Sequence, residues 1–268
     1  MAVELNPSLL AWSRSLANWR FLALGKQAIV REWKRRTLRQ IQSNVTKSRR
    51  VGSVTLNSLE NSQIGLGALD SGLWYYLESP FTTESLETIK TNWPSINWFT
   101  PSRDYTKTYD RFGIYDHING IRKELGPNAE LANELVVCLK DKRWTEYLKA
   151  LRAQSFDLQL ANLGLAWSRS GSYLLPHRDS VGKLGDGSWL NVIFLINSFG
   201  PNSIQVGRTS FYHDNTYNKL AFVPELASNC AIIYDTASNI FHGFPPLSKH
   251  SWSWRVVAQY AAEAELAK

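Results

Sequence analysis

Cysteine is scarce in this chain. Cys138 and Cys230 are the only two in 268 residues, and they form no CxxC pair. A disulfide framework and a zinc ribbon are both excluded as the organising device, and a reducing, cytoplasmic setting is expected. Long apolar runs are missing too: none approaches the roughly 20 residues needed to span a bilayer. No charged, apolar and small-residue segments follow one another in secretory order. Internal repeats and low-complexity tracts are also lacking.

An excess of one charge sign is missing from most of the chain. The formal net charge is +7, yet residues 1–50 alone hold 11 Lys or Arg against two acids, Glu4 and Glu32. The basic character therefore belongs to an N-terminal segment and not to the body, which weighs against bulk nucleic-acid binding. Within that segment Trp12, Leu16, Trp19 and Ala23 recur at helical spacing, followed by the basic run "REWKRRTLR". Residues 1–50 are expected to be a basic helical extension. It either packs on the domain or, through residues 9–50, meets an anionic membrane surface or an acidic partner.

What is present favours a packed, β-rich core. Hydrophobic residues make up 44% and aromatics 12%, with 11 Trp; large rings suit sheets and clefts. Residues 51–154 are expected to form a mainly helical support region. Its features are a short strand in "VGSVTLN", a capped helix in "TTESLETIKTNW" and one or two helices over 128–154. "SRDYTKTYDRFGIYDHINGI" shows no clean period and is expected to be irregular. From residue 155 the texture changes to short Val, Ile, Phe and Tyr runs separated by Gly, Pro, Asn and Asp. Seven or so such runs predict an antiparallel sandwich or jelly roll over 155–268, helices first and sheet after, with 51–268 acting as one domain.

The chemistry concentrates in "LLPHRDSVGKLGDGSW", residues 174–189. On a strand, positions i and i+2 share a face, so His177 and Asp179 project an imidazole and a carboxylate into one space. A second histidine on a neighbouring strand would complete a two-histidine, one-carboxylate site with open metal positions. His213 in "SFYHDNT" and His242 in "SNIFHGFPP" are the candidates. His242 lies between two strand-like runs and His213 in a turn-like one. The last run holds Arg255 among Trp254, Val256 and Val257. An arginine in an apolar strand needs an anionic partner, and the C-terminal region offers no fixed carboxylate.

This order of His-x-Asp, distal His and Arg in the final strand resembles the 2-oxoglutarate, iron(II)-dependent dioxygenases. "SGSYLLPHRDS" followed by "GDGSWLNVIFLIN" looks most like their prolyl-hydroxylase-type branch. The resemblance covers about residues 155–260. It implies an α+β chain with a double-stranded β-helix core, cupin-like, and N-terminal helices packed against it. It also implies iron(II) held by His177, Asp179 and His242, 2-oxoglutarate as co-substrate with its distal carboxylate on Arg255, and dioxygen as oxidant. Ser253, Asn191 and Trp167 are the implied neighbours of the co-substrate. Trp167 stands where such enzymes often carry a tyrosine, and an indole can donate but not accept. The implied reaction is hydroxylation of an unactivated C–H on an amino-acid or peptidyl side chain, with release of succinate and carbon dioxide.

Two other readings use the same residues. A cupin-like binding or hydrolytic protein could hold another divalent metal on the three ligands. A nucleic-acid demethylase of the AlkB type would suit the basic N-terminus, but such enzymes carry a further arginine soon after the first, and residues 256–268 contain none.

Overall fold

The computed structural model describes residues 51–57, 64–69, 72–151, 157–179, 189–200, 207–236, 240–262 and 266, with the main chain alone for 64–69 and 72–73. The basic segment 1–50 and the Gly185–Asp186–Gly187 turn lie outside these residues. Within them, no helix is long and apolar enough to cross a membrane.

The capped helix forms as its sequence predicts. α1 spans Thr83–Thr91, and the Thr82 hydroxyl accepts from the Ser85 N–H, satisfying one of the donors a helix start leaves free. The apolar spacing over 128–154 resolves into two helices, α2 (Ala129–Leu139) and α3 (Lys142–Leu151). Leu131, Leu135, Val136 and Leu139 of α2, with Trp144 and Leu148 of α3, are buried.

Strands are more widespread than the mainly helical expectation for 51–154 allows. β1 (Ile64–Leu69), β2 (Gly72–Glu78), β3 (Thr100–Arg103), β4 (Lys107–Asp116) and β5 (Gly120–Ile121) all lie in that region. "VGSVTLN" contributes a single bridge, Leu56 to Phe81. The stretch expected to be irregular is instead β3 to β5. Its alternation is hidden because a buried position of β4 is Asp110, which is 3% exposed. That carboxylate is tolerated there because Arg169 Nη2 lies 2.9 Å away and Arg169 Nε donates to it at 3.1 Å; a buried acid requires such a partner.

The later runs become β6 (Leu158–Arg169), β7 (Tyr173–His177), β8 (Leu190–Phe199), β9 (Ser210–Tyr212), β10 (Leu220–Phe222), β11 (Cys230–Asp235), β12 (Phe241–Phe244) and β13 (Trp252–Ala262). All pair antiparallel, in the order β1-β2-β11-β8-β13-β6-β4-β7-β12-β9-β10. The sheet curls so that its far end packs on its beginning: Trp74 of β2 meets Phe211 of β9 at 5.2 Å and Phe222 of β10 at 4.1 Å between ring centroids. This is the double-stranded β-helix, with helices packed outside it.

Period-two alternation assigns the two faces. Val192, Phe194 and Ile196 of β8, Ile233 of β11 and Val256, Ala258 and Tyr260 of β13 point outward, into a core shared with α1 to α3. Tyr260 ties these parts together. Its hydroxyl accepts from Trp144 Nε1 at 2.8 Å and donates to the Leu139 carbonyl at 2.9 Å. Asn191, Ile193 and Leu195, with Cys230, Ile232 and Tyr234, point into the curl, and so do Ser253, Arg255 and Gln259.

Candidate metal centre

His177 ends β7, and Asp179 follows two residues later. β12 runs antiparallel to β7 in a register that puts His242 opposite His177. The strands come this close because residue 243 is glycine: a Cβ there would collide with the Leu174 carbonyl. Ligand atoms of His177, Asp179 and His242 all lie within 4.8 Å of one another. Both Nε2 atoms sit 3.7 Å from Asp179 Oδ1.

Each imidazole is oriented by its own strand. Nδ1 of His177 lies 2.9 Å from the Leu175 carbonyl, and Nδ1 of His242 lies 3.4 Å from that of Ile240. A ring held through Nδ1–H keeps its Nε2 lone pair for a metal, the arrangement that fixes a ligating histidine. Burial pushes the His242 pKa down to about 4, against the opposing pull of Asp179, so the ring is neutral near pH 7, as ligation requires. The site opens on one side, because the His177 side chain is 36% exposed and that of His242 is 5% exposed.

The free oxygen of Asp179 is held from inside the curl. Its Oδ2 accepts from Asn191 Nδ2 at 2.6 Å and lies 3.1 Å from the Tyr234 hydroxyl. Tyr234 Oη also sits 3.0 Å from His242 Nε2. Burial raises its pKa well above the ordinary phenol value, so it keeps its proton. Gln259 Nε2 donates to Asn191 Oδ1 at 3.0 Å, and Gln259 Oε1 accepts from Asn162 at 3.3 Å. The carboxylate is thus braced by a chain across β8, β13 and β6.

Arg255 occupies the other end of the interior. It is 4% exposed. Nη1 donates to Thr209 Oγ1 at 3.1 Å and Nη2 to Ser168 Oγ at 2.5 Å. The guanidinium lies over the Phe244 ring at 4.5 Å, and its Nε has no partner. No salt bridge among the described residues supplies it a carboxylate. Burial lowers its pKa to about 10, which leaves it charged near pH 7. Ile193, Leu195 and Ile232 wall the cavity beside it.

His177, Asp179, His242, Asn191 and Arg255 therefore face one interior. Ser253 is buried near Arg255, but its hydroxyl donates to the Gly207 carbonyl at 3.2 Å. Trp167 is not brought to the group. It lies on the outer face, edge-on to Phe99 and Trp254, and Ser168 takes the inward place beside Arg255. His213 is exposed beyond the end of β9. Ser168, Thr209, Gln259 and Asn162 were not singled out by sequence, because their roles depend on cross-strand register.

No protein-family model matches the sequence, and no curated protein matches it. Solved structures do match the fold. The non-heme alpha-ketoglutarate-dependent epimerase SnoN from nogalamycin biosynthesis aligns with a TM-score of 0.51 and 10% identity over 70% of this chain and 76% of its own. A 2OG-Fe(II) oxygenase-family oxidoreductase from Burkholderia pseudomallei gives 0.49 and 13% over 75% and 86%. A prolyl-4-hydroxylase from Pseudomonas putida gives 0.48 and 10% over 71% and 92%. The chain is thus similar in fold to the alpha-ketoglutarate-dependent epimerase.

Proposed function

We propose that this protein is an iron(II)- and 2-oxoglutarate-dependent oxygenase. We further propose that it hydroxylates an unactivated C–H of an amino-acid or peptidyl side chain, releasing succinate and carbon dioxide. The observation that carries this reading is the pairing of two features in one interior. Two imidazole Nε2 atoms and a carboxylate converge at an opening, and a buried arginine without a carboxylate partner lies deeper in the same curl. A metal alone would account for the first feature. Only an acid bound beside the metal accounts for both.

The donor set fits iron(II): two neutral nitrogens and one carboxylate on one face leave positions open for co-substrate and dioxygen. His177, Asp179 and His242 would hold the metal, whose chemistry when bound is oxygen activation coupled to oxidative decarboxylation of the 2-oxo acid. The protein supplies position. Arg255 binds the distal carboxylate, with Ser168 and Thr209 fixing its guanidinium. Asn191 and Tyr234 hold Asp179 Oδ2, which would leave Oδ1 for the metal. With His242 Nε2 committed to a metal, the Tyr234 hydroxyl donates to Asp179. Ile193, Leu195 and Ile232 make the space beside Arg255 apolar, which strengthens a charge contact made there.

The fold does not choose the reaction outcome, since one neighbour of this fold is an epimerase and folds host many functions. Support for an amino-acid or peptide substrate is the local likeness of "SGSYLLPHRDS" and its following strand to prolyl-hydroxylase-type sequences. The test is an anaerobic titration with iron(II) and 2-oxoglutarate, followed at the visible metal-to-ligand charge-transfer band. Wild type should develop the band, and His177→Ala and Arg255→Ala should not. Absence of the band in metal-loaded wild type would overturn the reading. Succinate release across peptides, amino acids and small metabolites then assigns the substrate. Metal binding with no consumption of 2-oxoglutarate under any of these would favour a cupin-like binding protein.

A further inference from the structure

A second arginine lines the same cavity. Arg208 is 5% exposed, and it flanks the space between Ile193, Leu195, Ile232 and Arg255. Its Nη1 donates to the carbonyls of Pro224 and Glu225 at 2.7 and 2.6 Å. Those contacts satisfy hydrogen bonds but bring no negative charge. Its Nε, like that of Arg255, is buried without a partner. No salt bridge among the described residues joins it to a carboxylate. The ionisable groups beside it are Cys230 and Tyr76. Burial pushes the Cys230 thiol up to about 12 and raises the Tyr76 phenol as well, so neither is an anion near pH 7.

The backbone is shaped to present this cation. Gly207 has φ of +75°, the left-handed region that favours glycine. A Cβ there would press on Ser253 Oγ and on both Leu247 methyls. The Ser253 hydroxyl bonds the Gly207 carbonyl, so β13 anchors the turn from which Arg208 and Thr209 enter the cavity. Thr209 in turn bonds Arg255. Two buried guanidiniums thus border one apolar space with no counter-ion among the described residues. A buried cation in that state is expensive unless a ligand neutralises it.

We infer that Arg208 is a specificity-determining residue that acts with Arg255 to grip the distal carboxylate of the 2-oxo acid. The cavity is thereby set to select a dicarboxylic 2-oxo acid over one with an uncharged tail. This rests on the oxygenase reading above, and the two can fail separately.

The experiment measures dissociation constants of the anaerobic iron(II) protein, full chain, for 2-oxoglutarate and for 2-oxobutyrate, which has no distal carboxylate. Wild type is compared with Arg208→Met and Arg208→Lys, each checked for folding by thermal unfolding and for iron binding. A charge-assisted contact of this kind predicts a loss of about tenfold or more in 2-oxoglutarate affinity for Arg208→Met. Affinity for 2-oxobutyrate should stay unchanged, and Arg208→Lys should recover part of the discrimination. Equal weakening toward both acids would mean that Arg208 only supports the Pro224–Glu225 segment, and would overturn the inference. So would unchanged affinity for both. If Arg208→Met does not fold, the lysine variant decides: discrimination equal to wild type overturns the inference, because lysine keeps the charge but not the planar fork. Wild type that binds iron but not 2-oxoglutarate removes the oxygenase reading and this inference together. Wild type that binds both while Arg208 variants match it removes this inference alone.

Discussion

The two faces of one sheet differ in kind. Outward from β8, β11 and β13 stand Phe194, Ile233, Val256 and Tyr260, closed over by three helices. Inward from the same strands stand Asn191, Tyr234 and Gln259, joined by hydrogen bonds, and Arg255, which borders a cavity. Neighbouring residues along a strand belong to different regimes. The outer face gains stability from burying apolar area. The inner face accepts the desolvation of Arg255 and His242, a cost that the proposed metal and acid would offset on binding. A fold that builds a site this way needs the outer face to carry its stability.

That contrast can be broken or sharpened by substitution. The largest effect is expected from His242→Ala, which should abolish metal binding in calorimetric titration while leaving a cooperative thermal transition. Loss of the fold in this variant would show that the inner face also carries stability. Phe194→Ala, on the outer face, should cost about 3–5 kcal/mol in urea unfolding and leave metal affinity unchanged in the protein that remains folded. Asn191→Ala removes the brace on Asp179 Oδ2 and should weaken metal affinity by about 10–100-fold, with little change in unfolding midpoint. Arg255→Met should remove the 2-oxoglutarate charge-transfer band. It should also raise stability of the ligand-free protein by about 1 kcal/mol or more, since an uncompensated buried cation is removed; a lower midpoint would contradict the assignment of cost to this face. The smallest effect is expected from Thr82→Ala, at the start of the helix over the outer face, about 1 kcal/mol in unfolding with no change in either ligand affinity.

Much of the site was legible because its residue types are rare in strands. A histidine and an aspartate two apart, a later histidine and a strand arginine are conspicuous against apolar neighbours. The failures share a cause. Strand parity across a pair cannot be read from one strand, and an offset of one residue exchanges the faces. Arg255 pairs with Ala166, which brings Ser168 to its face and turns Trp167 outward. Tyr234 stands beside Asp179 only because it pairs with Asn191 across the β8–β11 boundary. β4 was illegible because Asp110 occupies a buried position, and only the approach of Arg169 makes that position tolerable.

The sequence by itself determined the alternating strands, the capped helix, the residue types available for a metal and the presence of a strand arginine lacking a nearby acid. Those follow from local periodicity and from the solvation of charge, which each segment carries wherever it lies. Tertiary structure alone decided which groups share a space. It set His242 opposite His177, turned Trp167 away and placed Arg208 beside Arg255. The reason is that register and curl are properties of pairs of strands, fixed only when the whole sheet closes.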